Sequence, residues 1–189
     1  MGINRYYNGG KYGCFFALDG DENAANIHYN RALNFATDNT HSSVKAHYDY
    51  YKGQINLLTA ERQLNIGCIC DIVTNYFVLH EFAHCKFQHT SSGKDISDRH
   101  RQEFEADAFA LERIYTRFGG NNMWNNAFWI SSLMLFMRDC YDKLHIPNKY
   151  HPEPIDRALA VYCQVSKWCG DFPNPELDIF SLFKKWKVE

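Results

Sequence analysis

Apolar residues recur at helical spacing through the latter two thirds of the chain. Residues 67–90 set Val73, Phe77, His80, His84 and Phe87 three and four positions apart, the repeat of one helix face. Residues 98–118 do the same with Phe104, Ala108, Leu111, Tyr115 and Phe118, with Asp98 as the expected N-cap and Gly119-Gly120 as the stop. A third helix is expected over 122–144, ended ahead of Pro147. Pro154 suits the first turn of a fourth running to about Trp168. A short helix is expected after Pro175. The first third reads differently. Residues 23–37 have helical spacing at Ala25, Tyr29, Leu33 and Ala36, but residues 45–58 crowd Tyr48, Tyr50, Tyr51, Ile55 and Leu57 around Gly53. That crowding, like Lys11 to Leu18, reads as strand or hairpin. The expected fold class is α+β: a small N-terminal β-sheet with a helix, packed on a mainly helical C-terminal body. One domain is expected over 1–189, mixed over 1–65 and helical over 66–189.

Composition narrows the classes. The 189 residues carry 20 Lys and Arg against 22 Asp and Glu. No basic excess points to nucleic acid, and none is expected as a partner. The longest uncharged apolar run, Ala127 to Met137, contains two serines and falls well short of the roughly 20 residues that cross a bilayer. It reads as a core helix, and no membrane span is expected. Trp124, Phe128 and Trp129 are assigned to core. The N-terminal MGINRYYNGG has no apolar signal core, so the expected compartment is cytoplasmic, with the seven cysteines reduced. No C-x-x-C pair exists, which argues against a cysteine zinc site.

The chemistry is concentrated at His80-Glu81-Phe82-Ala83-His84, an H-E-x-x-H string. On a helix, residues four apart share a face, so both imidazoles can reach one Zn²⁺. Glu81, one step round, can take a proton from an attacking water. A catalytic zinc needs a third protein ligand and an open position. The next helix offers Glu103, with Glu105 as the alternative. Asp107, one turn beyond Glu103, can accept a hydrogen bond from a ligand imidazole and fix its tautomer. The longer string H-E-x-x-H-x-x-G-x-x-H does not fit, since Phe87 and Thr90 stand at its Gly and His positions. His89 is therefore expected in a surface or loop role, and Cys85 is expected to pack away from the metal.

His80-Glu81-x-x-His84 followed by Glu103-x-x-x-Asp107 resembles the gluzincin metallopeptidases. The string Glu103 to Ala110, EFEADAFA, and the element His151-Pro152-Glu153-Pro154-Ile155-Asp156-Arg157 are similar to those of the family that holds the CAAX prenyl protease, the HtpX-type and the Oma-type proteases. That resemblance implies that His151 donates to the developing oxyanion and that Arg157 lies near the Glu103 carboxylate or the oxyanion. Members of that family usually carry membrane helices. The soluble Lit-type phage-exclusion peptidases and the ImmA-type proteases also have H-E-x-x-H followed by an acidic helix, and Glu105-Ala106-Asp107-x-Phe109-Ala110 is similar to the ImmA-type string. The resemblance implies a soluble zinc endopeptidase with one Zn²⁺ per chain, acting on a protein or peptide in stress response or phage defence. The competing readings are a zinc-stabilised binding module without catalysis and a zinc hydrolase of a non-peptide amide.

Overall fold

The computed structural model describes residues 56–89, 95–118, 122–146 and 151–170, together with scattered positions between 27 and 53. Four helices carry the body: α1 (Ala60–Lys86), α2 (Ile96–Phe118), α3 (Met123–Leu144) and α4 (Pro154–Cys169). α1 packs along α2 and α3 along α4, and lesser contacts of α1 with α3 and of α2 with α4 join the two pairs.

The expected α+β class is overturned, because the described residues contain no strand. Within 45–58, where a strand or hairpin was expected, Ala46, Asp49, Lys52, Gly53 and Asn56 are helical. The reason lies in the spacing. Tyr48, Tyr51 and Ile55 also stand at i, i+3 and i+7, so the same residues satisfy the helical repeat. The strand preference of aromatics reflects packing context more than backbone preference. The helix expected over 23–37 has helical backbone at each described position, Ile27, Asn30, Arg31, Leu33, Asn34 and Thr37. Lys11 to Leu18, Gly119-Gly120 and the helix after Pro175 lie outside the described residues.

The core follows the repeat of three and four. Met123, Ala127, Ile130 and Met134 of α3 face Ile155, Ala158, Tyr162 and Val165 of α4, and Leu111 and Ile114 of α2 close the cluster with Tyr76 of α1. Ala127 and Ala158 are fully buried, and such small residues let helix backbones approach. Ser131 Oγ donates to the Ala158 carbonyl at 3.5 Å where α3 and α4 meet. Trp124 packs against this core from its edge, and Phe128 and Trp129 are also only partly buried.

The face that α1 buries shares only His80 with the one expected. Ile69, Tyr76, His80 and Ala83 turn inward, whereas Phe77 is 36% exposed and Phe82 55%. α1 is apolar on most of its circumference, so periodicity alone does not select its inner side. By length and composition Gln63–Lys86 could also cross a membrane, although the stretch includes Asp71 and Glu81.

The helix ends are set by local bonds. Asp95, rather than Asp98, caps α2: its Oδ1 accepts the Asp98 N–H at 2.7 Å. Pro154 does stand in the first turn of α4. α1 ends in a Schellman turn. Gln88 takes the left-handed conformation, φ 55°. The N–H of His89 then reaches the His84 carbonyl at 2.9 Å, and that of Gln88 reaches the Cys85 carbonyl at 3.2 Å. α3 closes in the same way around His145.

Candidate metal centre

Ala83 on α1 and Ala106 on α2 are fully buried against each other beside Phe109. With no bulk between them, the two helices come close. Beside this contact α1 presents His80 and His84 to Asp107 and Glu103 of α2, and the polar side chains converge. His80 Nε2 is 3.1 Å from His84 Nε2. Glu103 Oε2 is 3.4 Å from the first and Oε1 3.6 Å from the second. Tetrahedral zinc with bonds of about 2.0–2.1 Å sets neighbouring donor atoms about 3.3 Å apart. Taken to the nearer Glu103 oxygen in each case, the separations come close to that spacing, and the group as a whole could hold a metal.

Asp107 stands behind His80, with its carboxylate only 2% exposed. Its Oδ1 is 2.9 Å from His80 Nδ1, although the ring N–H does not aim straight at it. Arg157, from the first turn of α4, clasps the same carboxylate with both arms, Nε to Oδ2 at 2.8 Å and Nη2 to Oδ1 at 2.6 Å. The Tyr76 hydroxyl, one turn before His80, also donates to Oδ1. Arg157 Nη1 lies 3.5 Å from Glu103 Oε2, so one guanidinium serves both carboxylates.

These contacts fix the charges. Burial opposes ionisation of Asp107, but the bonds from Arg157 and His80 outweigh it and hold its carboxyl below the usual range. Burial likewise opposes the Glu103 carboxylate, and the bonds from His151 and His80 and the charge of Arg157 drive its pKa well down. Burial disfavours the charged His80 ring, yet Asp107 and Glu103 raise its pKa to about 9. His84 shifts the other way. Burial lowers it, with Glu103 opposing and His80 and His89 adding to the fall.

The family model of Peptidase U49 matches residues 19–177, a span that takes in all four helices. The chain belongs to the Peptidase U49 family. It is a peptidase, and so a hydrolase. No curated protein and no solved structure matches it.

In this U49 peptidase the residues singled out from sequence fall into two groups. His80, His84, Glu103, Asp107, His151 and Arg157 come together. His151, half-exposed just ahead of α4, has Nδ1 3.2 Å from Glu103 Oε1. Glu81 is exposed and close enough to His84 to act on its charge. Glu105, the alternative ligand, is set apart: it is 3.3 Å from His89 and 3.7 Å from Arg101.

Tyr76 carries no expectation from sequence, and His89 is expected only in a surface or loop role. Tyr76 is four before His80 on the same face, which is the signal that could have found it. His89 does lie in the turn beyond α1, as a loop role implies, but its side chain is only 6% exposed and its Nδ1 is 2.9 Å from His84 Nδ1. Cys85 is exposed rather than packed.

Proposed function

We propose that this U49 peptidase is a zinc-dependent endopeptidase that holds one Zn²⁺ through His80, His84 and Glu103 and cleaves a protein substrate. The observation that carries the reading is the convergence of those three donors at 3.1–3.6 Å. Zinc, when bound, supplies Lewis acidity toward the scissile carbonyl and makes water a nucleophile near neutral pH. Glu81 takes the proton from the attacking water and passes it to the leaving amine. His151, at the rim, steadies the carbonyl oxygen as it gains charge. Arg157 holds Glu103 and Asp107 ionised, and Asp107 keeps the His80 ring turned toward the metal. A task in stress response or phage defence rests on the resemblance to the Lit and ImmA types.

The test compares protein N-termini in cells expressing the wild type and Glu81→Gln. New termini made only by the wild type support the endopeptidase and name its substrate. Identical termini, with the purified wild type carrying one zinc per chain, count against it and favour a binding module or a non-peptide hydrolase. Purified wild type that takes up no divalent metal defeats the zinc reading.

A further inference from the structure

His80 and His84 are each backed by a different support. Asp107 stands behind His80. Behind His84 is His89, which touches it twice. The Schellman turn at the end of α1 brings the residue five positions on back over its partner. Hence the His89 N–H bonds the His84 carbonyl at 2.9 Å, and the two rings meet edge to face with Nδ1 atoms 2.9 Å apart. His89 Nε2 then lies 3.3 Å from Glu105 Oε2 on α2, and Arg101 lies 3.7 Å beyond.

One assignment of protons satisfies every member of this row. His84 carries its hydrogen on Nδ1 and donates it to His89 Nδ1. His89 carries its hydrogen on Nε2 and donates it to Glu105. That leaves the lone pair of His84 Nε2 free, pointing to His80 Nε2 and Glu103. The other tautomer of His84 would set a hydrogen where the metal must bind.

We propose that His89 is a positioning residue, which, anchored by Glu105, holds His84 in its metal-binding tautomer and ring orientation. The proposal rests on the zinc reading above. His89 touches neither the metal position nor the other two donors. Glu105, which the sequence offered as a rival ligand, acts two bonds further out.

The test uses the full chain, with Zn²⁺ affinity measured by competition against a chromogenic chelator and the visible absorption of the Co²⁺-loaded protein as a geometric signature. His89→Ala is expected to weaken metal binding about 10–100-fold, as loss of such a partner does elsewhere, and to alter the Co²⁺ bands. His89→Asn sets an amide oxygen where Nδ1 stood and is expected to recover most of the affinity. Glu105→Gln is expected to lose less than His89→Ala. Circular dichroism and melting of the metal-free proteins check the fold. If His89→Ala loses its helical signal, His89→Leu against His89→Asn makes the same comparison at closer size. Unchanged affinity and spectrum in His89→Ala overturn the proposal, as does His89→Asn binding as weakly as His89→Ala. A wild type that binds no metal removes the zinc reading, and the proposal falls with it, before any variant is compared.

Discussion

His80 and His84 stand one turn apart on the same helix, yet their surroundings have little in common. The support behind His80 is assembled from three helices. Asp107 comes from α2, Arg157 from α4 and Tyr76 from an earlier turn of α1, and all are buried or nearly so. The support behind His84 is mostly local. His89 is delivered by the cap of the same helix, and Glu105 beyond it is 43% exposed. A support built from distant segments is bound up with the fold. One built from a helix end is not. Damage behind His80 should therefore destabilise the fold, and damage behind His84 should spare the fold and cost only the metal.

The largest effect is expected from Arg157→Ala. It leaves Asp107 buried without its cation, and removing one partner of a buried pair costs about 3–5 kcal/mol. Thermal melting of the metal-free protein would register the loss, and a change under about 1 kcal/mol would erase the contrast between the two supports. Acid probes the same pair. The folded pKa of Asp107 is depressed, so its contribution is complete above the unfolded carboxyl value of about 4 and is lost as pH falls through the folded value. Asp107→Asn should be less stable near neutrality and should show a shallower acid limb in a melting series.

Metal comes next. At a hundred times its dissociation constant a ligand of the native state adds about 2.7 kcal/mol, so Zn²⁺ should raise the melting midpoint and a chelator reverse it. Tyr76→Phe removes one of the donors to Asp107 while Arg157 remains, and should cost about 1–2 kcal/mol in denaturant melts. The smallest effect tests the local side. Gln88 holds a left-handed conformation that costs a side-chain-bearing residue about 1 kcal/mol. Gln88→Gly should keep the turn, leave metal affinity unchanged and match or slightly exceed the wild-type melting point, whereas Gln88→Val should loosen the cap and weaken metal binding.

The sequence made the centre legible because its key spacings are local. Two imidazoles four apart on α1, and two carboxylates four apart on α2, are facts of helical geometry that survive any packing. The extents of α2, α3 and α4 were also readable to within a few residues, from periodicity and proline placement. What failed depended on information outside the window. α1 is apolar on most of its circumference, and only its neighbours select Tyr76 and Ala83 over Phe77 and Phe87 for the inside. The strands expected over 45–58 rested on aromatic preference, which the helical repeat of Tyr48, Tyr51 and Ile55 contradicts. Ligand spacing says nothing of His84 here and places His89 in a surface or loop role. Its position depends on a left-handed turn at a glutamine, where sequence rules look for glycine.

That turn has a kinetic consequence. His84 lies in the closing turn of α1, and helix ends open far more often than helix middles. The Schellman bonds from Gln88 and His89 are what delay that opening. Exchange of a bound ion with solution should thus be timed by fraying of a few residues, while the core around Tyr162 stays shut. Hydrogen exchange at the amides of Gln88 and His89 would give the rate of this opening, and it should slow when the site is filled.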